Sequence, residues 1–223
     1  MKVNLALRLG VGLVAFVFGS CIIAGASIKN VRAGDWRLSV NTADGTVTLG
    51  KGARNVIVGS RAEWGIDSIR RDISDCGKIK VSTTANNDIF GNGTVVMLTG
   101  TGGGETIVQR FYLYHDKDYV LTDFTIGAPG GVELNYMAPV SSATSYEAFT
   151  RPGNNILFVP YDNDAWVRYK LTPFGESASE SYEVTAILNS DTREGIVAGS
   201  VEHDVWKTGI KVAAVGTTAV DSI

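Results

Sequence analysis

The chain has 223 residues, enough for one large all-β domain with a short segment to spare. Charged residues make up 19% and the net charge is −3, so there is no basic footprint and nucleic acid is excluded as a partner. With 26 Gly, 5 Pro and 44% hydrophobic residues, the composition is that of a folded, turn-rich protein and not of a disordered one.

Lys2 and Arg8 precede an uncharged run over residues 9–26, which reads as a signal for export. Small residues mark two cleavage points, after Ala26 and after Ala33, and the signal is expected to be removed. Two alternatives stay open. One is lipidation at Cys21, although FGSC is a poor lipoprotein box; the other is an uncleaved anchor, since the run is close to the spanning minimum. The sandwich domain is expected over residues 34–223, after a signal of residues 1–33. Cys76 is then the only cysteine of the exported part, so no intrachain disulfide is expected and core packing must hold the domain. Its thiol is expected to be half-buried and inert.

From Trp36 onward the apolar period is close to two, and the apolar residues are mostly β-branched or aromatic. Leu38, Val40, Val47 and Leu49 flank Asp44 and Gly45, a dipeptide suited to a tight hairpin. Strand-like runs follow at 57–73, 78–82 and 94–98, and residues 100–104 (GTGGG) read as a flexible connection. Runs at 106–114 and 119–126 come next, with Phe111 and Leu113 on one face and Arg110, Tyr112 and Tyr114 on the other. His115 falls at the hairpin tip between them, where exposure to water is expected. Further runs are 132–136, 156–159, 165–171, 182–188, 195–201 and 210–215. No window after Trp36 sustains an amphipathic helix. The expected fold is therefore all-β, a large antiparallel β-sandwich.

Several familiar motifs fail. GTVTLGK at 45–51 opens like a phosphate loop, but Gly52 stands where Ser or Thr is needed, and a hairpin surrounds it instead of a helix. Asp162 and Asp164 open like a calcium loop, yet Trp166 takes the fifth position and no Gly follows. An EF-hand is excluded, an irregular calcium site is left open, and no cofactor is expected. With two histidines, no nucleophile elbow and no zinc spacing, no catalytic residues are assigned.

Two polar constellations remain. Asp162, Asn163 and Asp164 lie between apolar runs, flanked by Tyr161 and Trp166. Asp and Asn make turns readily, so a strand corner explains them. A carboxylate pair beside an aromatic also suits a sugar, which has an apolar ring face and a rim of hydroxyls. The second constellation is GSVEHDVWKTG at 199–209, where His203, Asp204, Trp206 and Lys207 crowd between β runs. With no nucleophile to serve, a structural or ligand-binding role for His203 fits better than proton transfer.

The segments LFVPYDNDAWVRY (157–169), YEVTA (182–186) and GSVEHDVWKTG (199–209) resemble the N-terminal region of α-galactosidase (melibiase)-like glycoside hydrolases, as, less distinctively, do FYLY (111–114) and YVLT (119–122). The resemblance implies an exported β-supersandwich that precedes a catalytic (β/α)8 barrel. A barrel needs about 250 residues, which this sequence does not contain after the sandwich, so the family's catalytic aspartates are not carried over. It implies a missing C-terminal (β/α)8 domain as partner and places Asp162, Asn163, Asp164, Trp166, His203, Asp204, Trp206 and Lys207 near a sugar ligand of galactoside type or the interdomain contact. Two rival expectations stand beside it: a self-sufficient carbohydrate-binding module or lectin, and a surface structural protein.

Overall fold

The computed structural model describes residues 27–147, 149, 152–162, 167–176, 179–202, 204, 207–215 and 219–222. Among these residues it is an all-β antiparallel sandwich with no α-helix. The first half contains β1 (Ile28–Ala33), β2 (Trp36–Asn41), β3 (Val47–Lys51), β4 (Arg54–Ile66), β5 (Ile69–Asp72), β6 (Lys78–Asp88), β7 (Gly91–Gly102), β8 (Glu105–Tyr114), β9 (Val120–Gly127) and β10 (Tyr136–Ser141). The second half contains β11 (Tyr146–Glu147), β12 (Asn154–Phe158), β13 (Lys170–Pro173), β14 (Ser179–Tyr182), β15 (Val184–Asn189), β16 (Gly195–Gly199), β17 (Gly209–Val215) and β18 (Ala219–Ser222).

Period-two patterning builds the first half. Along β2, Trp36, Leu38 and Val40 point inward while Arg37, Ser39 and Asn41 point out. The sheet β1-β2-β3-β4-β10, with β5 added beside β4, faces the sheet β6-β7-β8-β9. Leu38, Val47 and Trp64 from one sheet meet Val96, Leu98, Ile107 and Phe111 from the other in one core. Asp44 and Gly45 turn the β2–β3 hairpin as expected: Gly45 has φ 72°, and the Asp44 carboxylate accepts from the Thr46 N–H at 2.9 Å. β1 lies inside the span read as the export signal. A cut after Ala26 leaves it paired along β2, and a cut after Ala33 removes it.

Several local expectations change, among them the run at 165–171, whose described residues are strand only from Lys170. Residues 100–102 are not a flexible connection but the end of β7, and only Gly103 and Gly104, with φ 61° and 85°, make the hairpin turn. Gly100 leaves room for Cys76, whose Sγ would lie 2.8 Å from a Cβ there. Cys76 is accordingly buried, not half-buried, and burial pushes its thiol pKa up. The run at 132–136 becomes strand only from Tyr136. Tyr114 points to the outer face of β8 yet is fully buried, because Phe90 and Tyr119 pack on it and its hydroxyl donates to Asp88 at 2.9 Å. His115 is exposed, as its place at a turn implies.

The second half is a smaller sandwich. The sheet β13-β12-β15-β16 lies against β11-β18-β17-β14, with Ile156 and Ile187 meeting Val212 and Val220 in a separate core. The start of β4 joins the two halves. Arg54 there pairs with Glu194 at 2.8 Å and lies over the Phe149 ring, and the Tyr146 hydroxyl donates to the Val56 carbonyl at 2.5 Å. Burial pushes the Tyr146 phenol up to about 12.

Trp64→Ala empties the middle of the larger core and should destabilise the protein by about 3–5 kcal/mol in chemical denaturation. The raised Tyr146 pKa also has a signed consequence. The folded state keeps that proton while the unfolded tyrosine, with a pKa of 10.0, loses it, so stability should fall as pH rises from 10 toward about 12. Tyr146→Phe should flatten that part of the pH–stability curve.

Candidate functional site

Two polar segments far apart in sequence meet where β12 and β14 end and β17 begins. Ser181, fully buried, ties the first of these together: its hydroxyl donates to the Leu157 carbonyl at 2.9 Å and accepts from the Val159 N–H at 3.2 Å. The Tyr182 N–H adds a bond to the Val159 carbonyl at 3.0 Å. This anchorage sends Tyr161 and Asp162 outward beyond the sheet, and Tyr161 is 55% exposed.

Glu183 secures the second segment. It adopts φ 70°, a left-handed backbone uncommon for a side chain of this size, at the corner between β14 and β15. Its carboxylate accepts from the Ser200 hydroxyl at 2.8 Å and the Thr208 N–H at 3.3 Å. Its backbone exchanges further bonds with Ser200 and Thr208, at 2.9 Å each. Both ends of the 200–208 loop are thus held by one residue.

That brings Lys207 onto the first segment. Its ammonium donates to the Tyr161 carbonyl, sits 3.6 Å from the Tyr161 ring centroid and lies 3.9 Å from Asp162 Oδ1. The cation–π contact adds about 0.5–1 kcal/mol in exposed settings, and an ion pair this open adds little. Tyr182 stands edge-on to Tyr161 with centroids 5.0 Å apart, and its hydroxyl donates to Glu180 at 3.1 Å. That hydrogen bond, then the Glu180 charge, raises the Tyr182 pKa.

Of the residues singled out from the sequence, Asp162 and Lys207 come together, and Asp204 is exposed on the same loop as Lys207. Asn163, Asp164, Trp166, His203 and Trp206 lie outside the described residues. Among the described residues no group of three His, Cys, Asp or Glu side chains is placed to hold a metal ion. The cluster offers an aromatic ring, a carboxylate and an ammonium, which suits hydrogen bonding to a neutral polar ligand. Sequence reasoning missed Glu183 and Ser181, because neither belongs to a motif. A Glu between two strand-forming runs was the one available signal for a corner.

A broad apolar surface adjoins this cluster. Residues directly opposite across a ladder share a face. Leu171 opposes Leu157, and Val197 opposes Ala186, while Ile156 and Ile187 point into the core. The outer face of β13-β12-β15-β16 therefore bears Leu157, Leu171, Val184 and Val197. Leu171 is 53% exposed and Val197 is 69% exposed, and Tyr169 is also exposed just ahead of β13.

Glu183→Ala should cost about 1–3 kcal/mol by stranding its partners. It should also speed proteolysis within residues 200–208 while the larger core stays protected, which limited digestion followed by mass mapping would read. No family model matches the chain, and no curated protein matches it either.

Proposed function

We propose that this chain is an exported, non-catalytic β-sandwich domain of an α-galactosidase-like glycoside hydrolase, whose role is to pack against a (β/α)8 catalytic domain and border its sugar site. The observation that carries this reading is the apolar outer face of β13-β12-β15-β16. Isolated exposed apolar side chains are ordinary, but a contiguous face of them beside a polar cluster is the mark of an interaction surface. The segments that resemble such enzymes, 157–169, 182–186 and 199–209, supply or border this face and the Tyr161–Asp162–Lys207 cluster. Export rests on the uncharged run at 9–26 after Lys2 and Arg8. The sugar class, a galactoside, follows from the resemblance alone.

A second reading, a stand-alone carbohydrate-binding module, is favoured by one feature: Tyr161 is more than half exposed beside Asp162 and Lys207. An aromatic face flanked by hydrogen-bonding groups is what a sugar ring needs. Calorimetry of the purified chain with α-galactosides separates the two. The domain reading predicts no binding and no hydrolysis above background, together with dye binding at the apolar face that Leu171→Lys diminishes. Saturable sugar binding that disappears in Tyr161→Ala would establish the second reading instead, and turnover of an α-galactoside by the chain alone would sink the non-catalytic claim.

A further inference from the structure

Open strand edges invite pairing with other chains, and proteins guard them with charge, proline or shortness. This molecule guards its edges consistently. β1 carries Lys29, β5 Arg70, β6 Lys78, β9 Asp123, β13 Lys170 and β14 Glu180. β10 has Pro139, and β11 is only two residues long. β16 is the exception. Its sequence, GIVAG, has no charged residue and no proline. It pairs with β15 along one side, and among the described residues no strand pairs with the other.

We infer that β16 is a self-association edge, pairing antiparallel with β16 of a second copy of this chain. The occupant follows from the sequence of the edge itself. Antiparallel pairing about Val197 sets Gly195 against Gly199, Ile196 against Ala198 and Val197 against Val197 of the second copy. Each large residue meets a small one or its equal, and no two charges face each other. A twofold axis through Val197 makes one patch serve both copies, as a symmetric dimer requires. The four-stranded sheet becomes a continuous sheet of eight. The apolar outer face then continues across the axis through Val197, which is 69% exposed and shares that face with Leu157, Leu171 and Val184. Opposed β-branched side chains at such a position are the pairs that stabilise antiparallel ladders. The turn before β16 is well fixed for this purpose. The Asn189 carbonyl accepts from the Arg193 N–H at 2.9 Å, and the Asn189 side chain accepts from Asp191 and Thr192 N–H groups at 3.1 and 2.9 Å. The edge is thus presented as a formed strand. The inference concerns the edge of the sheet and stands independently of any catalytic partner.

Sedimentation of the purified chain across a concentration series tests it. The expected result is a reversible dimer, twice the monomer mass, that Val197→Lys converts to monomer. Val184→Lys, on the same apolar face but one strand further in, should stay dimeric. A wild-type monomer at every concentration overturns the inference, as does a dimer that survives Val197→Lys or is lost equally in Val184→Lys. Should Val197→Lys fail to fold, Val197→Cys with a short thiol cross-linker keeps the question open to decision: the pairing predicts a cross-linked dimer, and the absence of one contradicts it.

Discussion

The second sandwich depends on the corner at Glu183. There the chain leaves β14, in one sheet, and enters β15, in the other, through a left-handed backbone step. The same residue gathers Ser200 and Thr208 with its side chain and its backbone. A backbone conformation of this kind costs of order 1–3 kcal/mol and persists only where its surroundings enforce it. Here the enforcement comes from the hydrogen bonds it makes. Without that corner Ser200 and Thr208 lose their common anchor, and Lys207 has no reason to reach Tyr161.

Much of the fold was legible because burial on a sheet imposes a period of two. Leu38 and Val40 fell at alternate positions, as did Phe111 and Leu113 on one face of their run, and all four are buried. The failures have physical causes. Gly100 and Gly102 read as loop because glycine usually breaks strands, but here they make space for Cys76 beneath β7. Tyr114 read as an outward residue because local alternation cannot see Phe90, from the β6–β7 turn, and Tyr119, from the turn that follows β8, folding over it. The run through Tyr182 read as one strand because a corner made by a glutamate leaves no glycine or proline to announce it.

The candidate site was half legible. Crowded polar and aromatic residues at 161–166 and 202–207 marked two segments, and the contact of Lys207 with Tyr161 and Asp162 unites them. Their union could not be read from sequence, since it is made by Glu183 across more than one strand. The apolar outer face was equally hidden. The runs holding Leu157 and Leu171 were read as strand-like with no face assigned, and only the ladder register shows that these two lie outside while Ile156 and Ile187 occupy the core. Polar cluster and apolar face lie side by side at this end of the molecule.

The central claim is that this surface belongs against a catalytic domain. The most direct measurement is the intact mass of the native gene product from its source cells. Packing against such a domain requires a product longer than this chain by about 250 residues or more, the size of a (β/α)8 barrel. A mature product that ends at Ile223 would contradict it.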